Sequence, residues 1–112
     1  MTYETLLVEV KDSIATVKVN RPKALNALNG VVLQDLINLA ADLEQNTEVG
    51  AVILTGEGDK AFVAGADIAS MQAMNALDAK RFCALGQRAM RAIETLSKPV
   101  IAAVNGFCLG GG

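Results

Sequence analysis

Val100-Ile-Ala-Ala-Val-Asn-Gly-Phe-Cys-Leu-Gly-Gly-Gly112 is the stretch on which the reading of this chain turns. Val100 to Val104 has the continuous apolar character of a buried strand, Asn105-Gly106 turns it, and three consecutive glycines follow. Glycine brings no side-chain chemistry and loses more conformational freedom on ordering than any other residue. Three in a row make sense where backbone must bend sharply, or where a ligand must reach bare peptide N–H groups. Ala61-Phe-Val-Ala-Gly-Ala-Asp-Ile-Ala-Ser70 has the same character, with Gly65 just before an expected helix start. Two small-residue turns that present N–H groups are what a two-donor oxyanion hole requires. Such turns also occur wherever a helix must pack close to a sheet, and spacing alone does not establish that these two meet.

Upstream, Tyr3–Val10 and Ile14–Val19 read as two strands of a hairpin around Lys11-Asp-Ser13. In the second, Ala15, Val17 and Val19 share one face and Ile14, Thr16 and Lys18 the other. Asn20-Arg-Pro-Lys-Ala-Leu-Asn-Ala-Leu-Asn29 breaks the pattern, because Pro22 and three asparagines favour turns. Its leucines and alanines exceed what a solvated connector needs, so it either packs on the core or lines a ligand groove. Asn29 is placed to cap a helix over Val31–Gln45 with Leu33, Leu36, Ile37, Ala40 and Leu43 on one stripe. Ala51–Thr55 is a short apolar strand of the kind covered on both faces. Asp67 caps a short helix to Met74, and Asn75 with Asp78 opens a longer one that runs to Leu96. Its stripe is Phe82, Gly86, Ala89, Met90, Ile93 and Leu96. The expectation is an α/β fold with a mostly parallel sheet and flanking helices.

Composition narrows the chemistry. The 112 residues are 52% hydrophobic and 20% charged, with a net charge of −2, which suits a single globular domain and argues against nucleic acid as a partner. No basic-apolar leader and no membrane-length apolar run is present, so neither a membrane nor a secretory route is expected. Cys83 and Cys108 lie in apolar surroundings of the sequence without metal or redox spacing, and no metal or other cofactor is expected. The chain has no histidine. That removes Ser-His-Asp and Cys-His catalysis together with histidine metal sites. Gly56-Glu-Gly-Asp-Lys-Ala61 fits neither nucleotide-loop spacing, GxxxxGK[ST] or GxGxxG.

Asn20-Arg-Pro-Lys-Ala-Leu-Asn-Ala-Leu28, Ala61-Phe-Val-Ala-Gly-Ala-Asp-Ile68 and Pro99-Val-Ile-Ala-Ala-Val-Asn-Gly-Phe-Cys-Leu-Gly-Gly-Gly112, in this order, closely resemble the crotonase (enoyl-CoA hydratase/isomerase) superfamily. Within it the chain looks most like the short-chain enoyl-CoA hydratases. The resemblance implies the N-terminal part of a crotonase-like spiral of ββα units, spanning residues 1–112. It also implies a lyase of fatty acid metabolism that reversibly adds water to a trans-2-enoyl-CoA. The backbone N–H groups of Ala66 and Gly111 would form the oxyanion hole for the thioester carbonyl. Lys23, Ala24 and Leu25 would line the CoA groove with Ala64, Gly65, Asp67 and Ile68, with Ala64 against the adenine and Asp67 acting as a helix cap.

By the same resemblance, two catalytic glutamates are expected beyond Gly112. None of the carboxylates within the chain is expected to activate water. The alternatives are a non-catalytic acyl-CoA-binding or assembly fragment, and another reaction of the superfamily such as enoyl-CoA isomerisation. A cytoplasmic setting and a homo-oligomer, a trimer or a dimer of trimers, complete the expectation. The 112 residues alone are expected to fold poorly, with a strand edge uncovered, and to give no turnover.

Overall fold

Strict alternation from Ile14 to Val19 puts Ala15, Val17 and Val19 under the first long helix, and all three are buried. The structure is a computed structural model and describes residues 2–112. Strand β2 (Ile14–Val19) pairs antiparallel with β1 (Leu6–Lys11), Leu6 facing Val19 and Lys11 facing Ile14. The two-residue turn between them holds Asp12 and Ser13 at φ 53 and 64, the left-handed geometry that matches strand twist in a tight hairpin. The strand expected from Tyr3 begins only at Leu6. Upstream of it the backbone is satisfied by the first helix instead: Thr5 N and Oγ1 both donate to Asp35 Oδ2, at 3.0 and 2.7 Å. Tyr3 Oη donates to Asp42 of the same helix.

Helix α1 (Gly30–Gln45) starts where Asn29 Oδ1 accepts from Val32 N at 3.0 Å. Its buried stripe is Val32, Leu33, Leu36, Leu39, Ala40 and Leu43. Ile37, expected in the stripe, is only partly buried, while Val32 and Leu39, not assigned to it, are buried. At its C-terminal end Lys98 Nζ donates to the carbonyls of Leu43 and Asn46, a cation where the helix dipole favours one.

Strand β3 (Ala51–Gly56) then lies parallel to β2, and β5 (Val100–Ala102) parallel to β3, giving the order β1-β2-β3-β5. A second, smaller sheet pairs β4 (Ala61–Val63) in parallel with β6 (Phe107–Cys108). Between them run α2 (Ile68–Met71) and α3 (Ala76–Glu94). From β3 onward the chain places one strand in the larger sheet and then one in the smaller, with helices between successive pairs, a spiral of strand–strand–helix units. An isolated parallel bridge between Leu28 and Ala66 carries the smaller ladder one turn back.

Several boundaries differ from the sequence reading. The strand expected to reach Val104 leaves the sheet after Ala102, since Asn105 diverts it. Its Oδ1 accepts from Gly56 N at 3.2 Å, and its Nδ2 donates to Gly56 O and Gly58 O at 2.8 and 3.0 Å. Phe107–Cys108, to which the sequence reading gave no element, is strand β6. Helix α2 ends at Met71 and α3 at Glu94, short of Met74 and Leu96. The reciprocal Asn75–Asp78 cap of α3 is present. On α3 only Ala89 is fully buried, with Phe82 and Ile93 packed partly on the core and Met90 exposed, and Leu96 packs partly on the core just beyond the helix end. Cys83 and Cys108 are both exposed rather than apolar-packed. Among the described residues no helix is long and apolar enough to cross a membrane.

Candidate functional site

The loop after β2 is held from inside. Leu25 and Asn26 both adopt left-handed backbone, φ 53 and 57, which asparagine tolerates better than most residues. Asn26 is fully buried. Its Oδ1 accepts from Arg21 N at 2.9 Å, while Nδ2 donates to Glu57 O at 3.1 Å and Ala61 O at 2.9 Å. A buried amide with its oxygen and both N–H groups engaged fixes both the loop and the start of β4. Of the two readings open for this segment, core packing holds at Asn26 and Leu28, whereas Lys23 and Leu25 face outward.

From there the loop runs alongside the first glycine turn. Ala64 N donates to Leu25 O at 3.1 Å, Leu28 N to Gly65 O at 2.8 Å, and Asp67 N to Leu28 O at 2.8 Å. This ladder sets Lys23, Ala24 and Leu25, on and just after a 3₁₀ turn over Pro22–Ala24, beside Ala64, Gly65, Ala66 and Asp67. Lys23 also borders a separate groove of about 270 Å³ with Pro22 and residues 57–61. Asp67 is engaged structurally: Arg21 Nη2 lies 3.1 Å from its Oδ2, and Ser70 N donates to its Oδ1 at 3.4 Å. Its reading as a helix cap holds. Ile68 is 74% exposed.

The glycine run comes to the same place. Leu109 N donates to Val63 O at 3.1 Å, and Gly112 N to Leu109 O at 2.8 Å, which closes a tight turn around Gly110 and Gly111. Gly110 has φ +49 and Gly65 φ +99, both left-handed. A Cβ on Gly110 would sit 3.7 Å from Gly65 Cα, and one on Gly65 would sit 3.3 Å from Leu109 O. The two turns thus lie side by side, with little more than the room of one methyl group between them, the point that spacing left open. Among the described residues the N–H groups of Ala66 and Gly111 donate to no protein acceptor. Unpaired backbone donors are uncommon unless they face solvent or a ligand.

Both residues line one cavity of about 460 Å³, walled by Leu28, Leu33, Phe82, Gly86 and Met90. A second cavity of about 390 Å³ shares Leu28, Met90, Glu94 and Gly111 with it. Glu94 was not singled out from the sequence, although it falls one helical turn after Met90 in the α3 stripe, which is the signal that would have found it. Its carboxylate is largely exposed and lies 3.6 Å from Arg91 Nη1, the surroundings of a surface ion pair.

The sequence profile of the enoyl-CoA hydratase/isomerase family matches residues 9–112. The chain is 50% identical over 112 residues to a crotonyl-CoA hydratase of Syntrophomonas wolfei, and equally to a short-chain-enoyl-CoA hydratase of Clostridium acetobutylicum. Each match takes in 100% of this chain and 43% of the relative, so the chain spans less than half the length of the curated proteins it resembles. The crystal structure of an enoyl-CoA hydratase from Bacillus anthracis superposes with a TM-score of 0.94 at 34% identity, over 97% of this chain and 43% of that one.

Proposed function

Because the chain belongs to the enoyl-CoA hydratase/isomerase family, we propose that it serves the reversible addition of water to a trans-2-enoyl-CoA, giving the 3-hydroxyacyl-CoA. The observation that carries this reading is the meeting of the two glycine turns, with the free N–H groups of Ala66 and Gly111 on one cavity. A thioester carbonyl seated between these donors gathers negative charge as water adds at the β-carbon. Backbone donors stabilise that charge, and each is worth about 3 kcal/mol of barrier. Being part of the main chain, they need no reorganisation when the charge forms. Lys23, Ala24 and Leu25, with Ala64, Gly65, Asp67 and Ile68, form the approach for the CoA moiety. Asp67 contributes by holding Arg21 and capping α2. The donor set consists of peptide N–H groups, so the role assigned to it calls for no metal or other cofactor.

A second reading, acyl-CoA binding without turnover, is favoured by one observation. The acidic side chain in the cavity lining, Glu94, is exposed and paired with Arg91, without the burial that raises a carboxyl toward general-acid use. Isomerisation of an enoyl-CoA would use the same two donors and differ only in the acid–base groups. A homo-oligomer, trimeric or a dimer of trimers, belongs to this proposal. A cytoplasmic setting is carried by the family resemblance.

Difference infrared spectroscopy of the thioester carbonyl tests the central point, using the intact protein with a saturated, unreactive acyl-CoA. A downshift of the carbonyl band on binding is expected. A bound thioester with an unshifted band overturns the role of Ala66 and Gly111. Hydration of crotonyl-CoA, followed by loss of its conjugated absorbance, separates the hydratase reading from binding alone.

A further inference from the structure

Gly86 occupies the interior of α3, where glycine is among the least favourable residues because it loses the most backbone entropy. Close approach of another element is the usual reason for such a glycine. Here it does not apply: a Cβ built on Gly86 would have one neighbour within 4 Å, Leu33 Cδ1 at 3.8 Å, an ordinary contact. Gly56, Gly106 and Gly112 differ sharply, since a Cβ on each would collide with a backbone carbonyl oxygen, that of Ala61, Lys60 and Val63 respectively. What the missing side chain of Gly86 leaves open is the wall of the 460 Å³ cavity that carries Ala66 and Gly111. The wall changes character along its length. Leu28 and Leu33 are buried and Phe82 half-buried, whereas Gln87 and Arg91 are exposed. An alkyl chain leaving the N–H pair meets apolar surface on the Gly86 side.

We propose that Gly86 is a specificity-determining residue: its bare backbone keeps room for the acyl chain of the bound thioester and so sets the length of chain admitted. The inference rests on the acyl-CoA reading above. A side chain at this position shortens the apolar wall from one side without touching the donors, so it discriminates against longer chains while sparing short ones. One methylene in a hydrophobic pocket is typically worth about 10-fold or more in discrimination.

The test compares dissociation constants of butanoyl-, hexanoyl- and octanoyl-CoA for the intact native protein, Gly86→Ala and Gly86→Leu, with melting temperatures of all three. Gly86→Ala is expected to melt higher than the native protein, as a better helix former with space for its methyl group, while losing affinity for octanoyl-CoA relative to butanoyl-CoA. Gly86→Leu is expected to widen that gap to about 10-fold or more. If the native protein binds all three esters and the variants shift them equally or not at all, the inference falls while the acyl-CoA reading stands. A lower melting temperature for Gly86→Ala would mean that packing demands the glycine, which also overturns it. If the native protein binds none of the esters, both fall.

Discussion

Arg21 and Asp67, 46 positions apart, are joined by a guanidinium–carboxylate contact of 3.1 Å with only 22% and 16% of their side chains exposed. The pair ties the loop after β2 to the start of α2, and Arg21 Nη1 reinforces it by donating to Ala27 O at 2.7 Å. Asp67→Asn keeps an oxygen to cap α2 but removes the charge, so a loss of roughly 2 kcal/mol is expected. Asp67→Ala adds about 1 kcal/mol for the lost cap. Arg21→Lys is not a conservative exchange here, because one ammonium does not reproduce two directed guanidinium donors. Urea unfolding midpoints of the three variants check the order.

Removing the side chain of Asn26 leaves three backbone groups without partners, Arg21 N, Glu57 O and Ala61 O. Asn26→Ala is therefore expected to destabilise by about 3 kcal/mol, part of it from alanine at φ 57. Asn26→Gly accepts the same backbone geometry and isolates the hydrogen-bond share. Equal stability of the glycine variant and the native protein would contradict the role assigned to the amide.

Gly65→Ala places a methyl group 3.3 Å from Leu109 O on a residue at φ +99. The strain is about 1–2 kcal/mol, and it acts at the contact between the two turns. Displacement of the donors by a fraction of an ångström is expected to lower kcat by up to about 100-fold with a smaller change in KM. Steady-state kinetics on crotonyl-CoA read the split, and an unchanged kcat would count against the paired turns as the reacting site.

Burial, then the hydrogen bond to Asp42 and its charge, then the charge of Asp35, push the Tyr3 phenol well above its ordinary value near 10. The folded state thus holds this proton more tightly than the unfolded chain. Below the unfolded pKa of about 10 the contribution to stability is fully present, and it is lost as pH rises toward the folded value. Chemical denaturation between pH 8 and 11 (roughly the range that brackets the unfolded phenol) is expected to show stability falling above pH 10. Tyr3→Phe should remove that part of the slope.

Much of this architecture was readable from residue order. Alternation in Ile14–Val19 gave the buried face of β2 correctly, and Asn29, Asn75 and Asp67 were legible as caps because their side chains act within three residues. The glycine turns could be located, and their small side chains explained, without knowing that they touch. What sequence did not reveal depends on partners far along the chain. Asn26 was read as a turn former, yet its amide reaches Ala61, 35 positions on. Asn105 ends β5 early by bonding Gly56 and Gly58. Strand β6 has only two residues, too few for any periodicity, and exists because β4 offers it a parallel edge. Gly86 already stood in the α3 stripe and Glu94 follows one turn beyond Met90, but the stripe did not show that this face borders a cavity rather than the core.

The spiral gives the donors a spacing that side chains do not control. Leu28, Ala66 and Gly111 occupy corresponding corners of three successive turns: the first two are bridged in parallel, and a Cβ on the third would come 2.9 Å from Leu28 Cδ1. The last ladder pair before the two donors is Val63 with Cys108, three residues upstream of each, so the relative placement of the N–H groups rests on main-chain pairing rather than on side chains. A carbonyl oxygen that bridges them is measured against main-chain periodicity. Sequence drift at exposed ladder positions such as Cys108 and Leu109 leaves that gauge in place, whereas inserting or deleting one residue between β4 and Ala66, or between β6 and Gly111, would carry one donor off its corner.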